Sequence, residues 1–455
     1  MKEARAGRLR RKIVETPARL AAQVGSAVAV PFVTAAGSLV MQVLAARTLG
    51  GAGYGVFSVY SGALILLIAL HTSWVGDALT VFDRFDPRWR GALWASLPLT
   101  LGLGVLIAVV VSITMSGAGA GTTALYVLLV LLALISETTR RIYTVRMEFW
   151  SLVANDCVNY GVTLMLVSGL LLSGVEATVG LLLGAWCGGQ AAGIALAVLY
   201  LPRREFSVVS PRRAAVRQVY GFGFWRSVHA MLRPASTLVS RVMVIGLASA
   251  GALGGIEAAR LLLSPGVTVV VGVGGYLLAY FARAERGGRA SGSGQALRAS
   301  VVLAVVTLLM SAVAIAAVDL LEPLITGGSF EVDRVALYGW AVWTVTFALT
   351  MPMANLATSR KLSRTVSAVR GVESAAGLGA LAVVLVLDPG NASYAPFCLG
   401  AGGLLSAVVL WLVLRRGDGD AGRRPRSADG LADHEVEVVV PSGDPAERQR
   451  ADQAG

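Results

Sequence analysis

Residues 299–318 read ASVVLAVVTLLMSAVAIAAV, a run of twenty residues without a charged side chain. At a rise of about 1.5 Å per residue, a helix of that length covers the roughly 30 Å hydrocarbon core of a bilayer. Similar apolar runs recur from about residue 21 to about residue 414. Only 15% of the 455 residues are charged, and the mean hydropathy is +0.69, whereas soluble domains carry about 25% charged residues. The chain is therefore predicted to be a polytopic membrane protein.

The apolar runs predict an all-α fold with about 12 transmembrane helices. The predicted spans are residues 21–46, 55–75, 92–115, 121–138, 151–173, 177–201, 222–248, 252–281, 299–318, 334–357, 364–387 and 394–414. They form two six-helix lobes, at 21–201 and 222–415, which a cytoplasmic connector at 202–221 joins. A basic N-terminus at 1–20 precedes the lobes, and a polar tail at 416–455 is predicted to be disordered. Two lobes of this kind are typical of transporters built from parallel repeats.

The distribution of basic residues predicts the orientation of the chain. With twelve spans, 30 Lys and Arg residues fall at the N-terminus, in the even-numbered loops and just after the last span. Only Arg47 and Arg334 flank the opposite side. Because cytoplasmic loops collect Lys and Arg, both termini are expected to be cytoplasmic. The same bias explains the net charge of +12, so no nucleic-acid partner is predicted.

Several kinds of chemistry lack the residues that they need. The chain has three histidines, and its three cysteines, Cys157, Cys187 and Cys398, lie inside apolar runs without paired spacing. Neither a disulfide framework nor a metal site is therefore predicted. No Lys is followed by Ser or Thr, which excludes a Walker A motif. The expectation is a protein that is not an enzyme and uses no cofactor.

The seventh span carries the most informative polar residues. Arg226, His229, Arg233, Thr237 and Arg241 are spaced so that all five fall on one helix face about 120° wide. Arg233 lies about 16 Å into the span, close to the middle of the bilayer core. A charge at that depth costs several kcal/mol when it faces lipid, so this face is predicted to line a hydrated cavity or to meet anions. Arg226 and Arg241 are nearer the ends and could instead extend their heads to the interface.

Two pairs of opposite charge lie three residues apart in predicted spans. Glu257 and Arg260 are in the eighth span, and Arg370 and Glu373 are in the eleventh. Each pair either neutralises itself or contributes to a site. Spans seven and eight together hold four Arg and one Glu, so the C-terminal lobe is expected to bind an anion such as a phosphate or diphosphate.

The candidate residues form two sets. The predicted substrate-binding residues are Arg226, His229, Arg233, Arg241, Glu257 and Arg260. Possible cavity-lining residues are Gln42, Asn155, Asp156, Asn159, Arg370 and Glu373. Hydrogen bonding between helices is the alternative role for Gln42 and for the three polar residues of the fifth span.

Two motifs carry a resemblance to a known family. The stretch Ala46–Ser58, ARTLGGAGYGVFS, resembles the signature of O-antigen-type polysaccharide flippases, whose superfamily also holds the multidrug and toxin extrusion transporters and the lipid II flippases. The stretch Gly251–Arg260, GALGGIEAAR, with Pro265, is similar to the junction between spans seven and eight in the same proteins. The chain departs from them at Arg241, where an acidic or neutral residue is expected.

The resemblance implies a V-shaped pair of six-helix lobes around a cavity that opens alternately to each side. The implied cargo is an isoprenoid diphosphate-linked oligosaccharide, flipped across a bacterial cytoplasmic membrane. Besides this lipid-linked glycan and the membrane lipids, a polysaccharide polymerase or glycosyltransferases are possible partners.

Two other classes of function remain open. A drug or small-metabolite exporter would be expected to carry embedded Asp and Glu for cation binding rather than a face of Arg. An integral-membrane polymerase or ligase would be expected to carry a larger outer loop with catalytic residues. The longest predicted outer loop has about 15 residues, at 319–333.

Overall fold

The computed structural model describes residues 2–115, 119–207, 209–210, 212–286 and 292–423. Within these ranges the chain is helical, with short 3₁₀ and π segments and no strand. The helices are α1 (Lys2–His71), α2 (Asp77–Val81), α3 (Pro87–Thr114), α4 (Ala120–Val145), α5 (Phe149–Leu172), α6 (Val179–Tyr200), α7 (Arg213–Leu247), α8 (Ala250–Arg286), α9 (Ser293–Ala316), α10 (Val318–Thr326), α11 (Arg334–Ser359), α12 (Ser363–Leu387) and α13 (Ala395–Arg423).

A break at Gly50 divides α1 into two spans. The backbone there has φ of 66° and ψ of 177°, a conformation that only glycine adopts without strain. Among the described residues, eleven helices are long and apolar enough to cross a membrane, and the first covers 53 residues from Ala29 to Val81. Because a bilayer core accommodates about 20 helical residues, this segment corresponds to two spans. The predicted all-α polytopic fold of about twelve spans is confirmed.

Several helix ends differ from the predicted span ends, and three of them bear on the connector, on the polar residues of the fourth helix and on the tail. The seventh helix begins at Arg213, inside the predicted connector, because residues 213–222 pack Ala215 and Val219 against α2 and α3. The fourth helix extends to Val145, beyond the predicted end at residue 138. The last helix continues to Arg423, beyond the predicted end at residue 414. The rest of the predicted tail, 424–455, lies outside the described residues.

The start of the connector is held by a buried carboxylate. Glu205, in a 3₁₀ turn at Arg203–Phe206, accepts hydrogen bonds from Arg84 Nε at 3.0 Å and from Arg146 Nη1 at 3.1 Å. Burial raises the pKa of the Glu205 carboxyl, but the hydrogen bonds and charges of the two arginines outweigh burial, and the pKa lies below its ordinary value. The connector is thus anchored to the α2–α3 loop and to the C-terminal end of α4.

The two motifs of the resemblance meet in space, where the second half of α1 crosses α8. A Cβ atom on Gly254 would lie 2.0 Å from the carbonyl oxygen of Gly51, and one on Gly55 would lie 2.0 Å from that of Ala250. Only glycine allows the two backbones to approach so closely. The crossing brings α1 beside α7 and α8, and α11 packs against α8 and α9. These helices enclose the cavity described next. All of the residues that line it lie within the compact part of the chain, Met1–Arg415.

Candidate anion-binding cavity

A cavity of about 680 Å³ lies between α1, α7, α8, α9 and α11. Its polar lining includes Gln42, Arg233, Thr237, Arg241 and Arg260. Apolar and aromatic side chains, among them those of Trp340 and Trp343, form most of the remaining wall. No Asp or Glu belongs to the lining among the described residues. The cavity therefore presents cationic groups on a largely apolar surface.

Among the three arginines that line the cavity, Arg233 is the one without an acidic partner in the described chain. No carboxylate lies within 4.0 Å of its guanidinium there, and the guanidinium makes no hydrogen bond to a described residue. Instead its Cζ lies 3.8 Å from the ring centroid of Phe347 and 5.5 Å from that of Trp343. Aromatic rings attract a cation through the negative potential of their faces. Arg233 thus keeps both its charge and its hydrogen-bond donors.

Arg241 and Arg260 share a single buried carboxylate. Arg241 binds Glu257 through Nε and Nη2, both at 2.8 Å, and Arg260 Nε donates to the same carboxylate at 2.6 Å. Glu257 is 1% exposed and Arg241 is 3% exposed. Nη1 of Arg241 also donates to the carbonyl oxygen of Ser58 in α1, at 2.7 Å. The triad carries one net positive charge, and Nη2 of Arg260 is buried without a partner in the described chain.

Two residues of the predicted face on α7 do not belong to the cavity lining. Arg226 is more than half exposed and forms an ion pair with Asp77 of α2 at 2.6 Å. His229 Nδ1 lies 2.7 Å from Ser367 Oγ of α12. Asp77 lies 149 residues from Arg226 in the chain, so local spacing could not identify it as a partner. The predicted face therefore has two parts. Arg233, Thr237 and Arg241 line the cavity, whereas Arg226 and His229 contact neighbouring helices.

Arg370 and Glu373 of α12 lie beside the main cavity and do not belong to its lining. Together with Ser236 and Ser374 they line a recess of about 20 Å³, roughly the size of one water molecule. Arg233 lines both this recess and the main cavity. No ion pair within 4.0 Å joins Arg370 to Glu373 in the described chain, in contrast to Glu257 and Arg260. The same i, i+3 spacing thus produced a pair in α8 but not in α12.

Three candidates in α5 lie outside the cavity. Asp156 is fully buried, forms an ion pair with Arg140 of α4 and accepts a hydrogen bond from Thr34 at 2.7 Å. Asn159 donates to Gln190 of α6 at 3.2 Å. Asn155 is also fully buried, and neither atom of its amide has a partner among the described residues. Asp156 and Asn159 connect helices here.

A polar cluster near the end of α4 was not predicted from the sequence. Glu137 accepts hydrogen bonds from Thr72 and Arg141, both at 2.9 Å. His71 is fully buried between Thr100 and Thr138, each 2.9 Å from one ring nitrogen. The basic residues of this region were assigned to a loop by the positive-inside pattern, which does not report on pairing. Spacing of Glu137 and Arg141 at i, i+4 is the signal that could have suggested the pair.

The cavity lacks the residues of a metal centre. Within the described ranges, no group of three or more His, Cys, Asp or Glu side chains is arranged to hold a metal ion. Guanidinium, amide and hydroxyl groups remain as the polar functions of the lining, and these donate hydrogen bonds to oxyanions. The arrangement is suited to binding an anion attached to an apolar group.

Comparison with solved structures identifies the fold. No protein-family model matches the chain, and no curated protein matches it. An inward-facing multidrug resistance MATE family transporter of the MOP superfamily aligns with a TM-score of 0.65 and 14% identity, over 86% of this chain and 95% of the other. An outward-facing transporter of the same description has a TM-score of 0.59 and 13% identity, over 88% and 97%.

A third structure differs in its described pocket. It is a MOP superfamily transporter from Pyrococcus furiosus Vc1, for which reverse polarity of the binding pocket suggests a different function. It aligns with a TM-score of 0.55 and 13% identity, over 88% of this chain and 96% of the other. The class that these matches define is the polytopic helical fold of MOP superfamily transporters. More narrowly, the chain has the fold of the MATE family.

Proposed function

We propose that the chain is a membrane transporter that flips an isoprenoid diphosphate-linked oligosaccharide, a precursor of a cell-surface polysaccharide, from the cytoplasmic to the outer leaflet by alternating access. The observation that carries the proposal is the charge of the cavity. Three arginines and no carboxylate line it among the described residues. A diphosphate joined to a long apolar chain matches a cationic site with apolar walls.

The charge balance supports an anion of more than one charge. Glu257 neutralises one of the two arginines that it contacts, and Arg233 has no acidic partner in the described chain. The cavity therefore carries about two positive charges. Arg guanidinium groups offer a planar fork of donors that fits phosphate oxygens.

A drug exporter is the second candidate, because multidrug resistance transporters of the MATE family have the same fold as this chain. A cationic drug would require acidic groups in the cavity, and the described lining has none. For the MOP superfamily transporter from Pyrococcus furiosus Vc1, reverse polarity of the binding pocket suggests a different function, so the charge of the pocket is a feature by which the two candidates can be compared. An integral-membrane polymerase or ligase is less favoured, since the described loops between helices are short.

The proposal includes a location and partners. The chain would lie in a bacterial cytoplasmic membrane with both termini in the cytoplasm. The cargo would come from cytoplasmic glycosyltransferases and be delivered to a polysaccharide polymerase outside. No cofactor is required by this scheme.

Transport in proteoliposomes tests the proposal. A fluorescent isoprenyl diphosphate disaccharide should cross the bilayer when the wild-type chain is present, as measured by protection from a membrane-impermeant quencher. Arg233→Ala should slow flipping at least about tenfold, because charge-assisted hydrogen bonds contribute about 1.5–3 kcal/mol. Arg233→Lys should recover only part of the rate, since an ammonium lacks the fork.

The control is Arg334→Ala, which removes an exposed Arg that pairs with Asp319 away from the cavity. Its flipping rate should equal that of the wild type. Normal flipping by Arg233→Ala would contradict the assignment of the site. Transport of an organic cation without any transport of the diphosphate would favour the drug exporter.

A further inference from the structure

Phe347 lies directly behind Arg233 and is not part of the cavity wall. Its ring centroid is 3.8 Å from Arg233 Cζ, and the ring is 6% exposed. Trp343, one helical turn earlier on α11, contributes a second face at 5.5 Å and does line the cavity. The guanidinium therefore rests on a buried ring on one side and meets the cavity on another.

We infer that Phe347 is a positioning residue, which holds the charged Arg233 guanidinium in the cavity by a cation–π contact and leaves its N–H donors free for phosphate oxygens. The inference rests on the proposed function and deepens it. This contact with Phe347 makes Arg233, rather than Arg241, the main anion contact on α7.

Arg241, eight residues later on the same helix, provides the comparison within the molecule. Its Nε and Nη2 donate to Glu257, and its Nη1 donates to the carbonyl of Ser58. An arginine stabilised in this way has little donor capacity left for a ligand, and its charge is cancelled. Arg233 obtains its stabilisation from a neutral ring, which lowers the cost of burying the charge without cancelling it.

The Phe347 ring is the platform on which the Arg233 guanidinium lies, and the packing of the ring holds it in place. Phe347 belongs to a buried cluster with Val270, Leu303 and Ala348, and its ring packs at 5.5 Å from that of Trp343. Because the ring packs against side chains of α8, α9 and α11, its displacement would require these neighbours to move. The direction of Arg233 is thereby determined by helix packing instead of by an ion pair, and an anion that enters finds an oriented and unpaired donor group.

The test alters the charge distribution of the ring while keeping its shape. Phe347 is replaced by mono-, di- and trifluorophenylalanine, since fluorine progressively withdraws electron density from the ring face. The full-length chain in lipid nanodiscs is titrated with geranyl diphosphate, and the dissociation constant is measured by calorimetry. The same series at Phe281, a buried ring of α8 whose ring neighbour is Tyr280, is the matched control.

The dissociation constant should rise stepwise with each fluorine at position 347, to a total of about 2- to 30-fold. It should stay constant at position 281. Phe347→Tyr, which retains the electron-rich face, should bind within about twofold of the wild type. An unchanged affinity across the fluorinated series at 347, with folded protein throughout, would overturn the inference and make Phe347 a packing residue only.

Failure of the proposed function has a different signature. If the wild type and Arg233→Ala bind geranyl diphosphate equally, or if neither binds it, the anion site itself is wrong. If Arg233→Ala loses binding while the fluorinated series at Phe347 does not change it, the site stands and only the platform fails. The two ideas are therefore separable in one set of titrations.

Discussion

At the scale of single residues, arginines of one helix meet three different environments. Arg226 is exposed and paired with Asp77, Arg241 is buried and paired with Glu257, and Arg233 rests on aromatic rings. A buried charge is tolerable only with compensation, and each environment supplies a different kind. The kind of compensation decides whether the arginine is free to bind a ligand.

Removing the shared carboxylate should destabilise the fold. Glu257→Gln leaves Arg241, which is 3% exposed, without a counter-charge. Breaking a buried ion pair on one side costs about 3–5 kcal/mol because the remaining charge is uncompensated. We expect a marked fall in the thermal unfolding temperature of the purified chain, measured in detergent. The double variant Glu257→Gln with Arg241→Gln should recover part of the loss, and no recovery would argue against direct coupling.

At the scale of elements, close contact between α1 and α8 connects the N-terminal and C-terminal halves. The contact depends on small residues in both of the motifs that carry the resemblance, and Arg241 adds a hydrogen bond from α7 to Ser58 of α1. Glycine-mediated crossings bring helix backbones together where lipid supplies no hydrophobic driving force. The position of α7 beside the cavity depends on this crossing.

Substitution at the crossing should therefore be costly. Gly254→Ala would place a methyl group 2.0 Å from the Gly51 carbonyl oxygen, so the helices must separate. We expect lower thermal stability and reduced flipping. Gly272→Ala on the same helix, where a Cβ meets nothing within 4 Å, is the control and should be neutral or slightly stabilising. Equal stability of the two variants would show that the crossing tolerates a side chain.

The anchor of the connector should make stability depend on pH. The pKa of Glu205 is depressed in the folded chain, so the ionised carboxylate stabilises the fold above its unfolded-state pKa. This contribution is lost as the pH falls through the folded-state pKa. Glu205→Gln should lower stability by about 1 kcal/mol at pH 7, and the difference from the wild type should shrink once the pH falls below the ordinary Glu pKa of about 4.3 and vanish below the lower folded-state pKa.

Thermal unfolding between pH 3 and pH 8 would measure this difference. Glu176→Gln, at an exposed position with no ion pair in the described chain, is the matched control and should follow the wild type at every pH. A gap between Glu205→Gln and the wild type that stayed constant down to pH 3 would contradict ionisation as its cause.

At the scale of the whole molecule, the twelve spans place the connector and the α10–α11 loop on opposite sides of the membrane. The connector is predicted to be cytoplasmic by the positive-inside pattern. In a chain with Cys157, Cys187 and Cys398 replaced by Ala, a single cysteine at Ser329 should react with an impermeant maleimide in intact cells. One at Ser210 should react only after permeabilisation, and the reverse result would overturn the orientation.

Much of the architecture was predictable because the signals for it are local. A run of about twenty apolar residues reports its own ability to span a bilayer, whatever its neighbours are, so all twelve spans have a helical counterpart. Helical periodicity likewise placed Arg233, Thr237 and Arg241 on one face, and all three line the cavity. These properties follow from the rise and turn of a single helix.

Only the tertiary structure decided which charges are free. Asp77 neutralises Arg226 across 149 residues of sequence, Glu257 reaches Arg241 from the next helix, and Phe347 supports Arg233 from α11. Ion pairing and cation–π contacts depend on distances of a few ångströms between side chains of different helices, which composition and spacing do not specify. Packing therefore determined that Arg233, and not the whole predicted face, presents an unpaired guanidinium to the cavity.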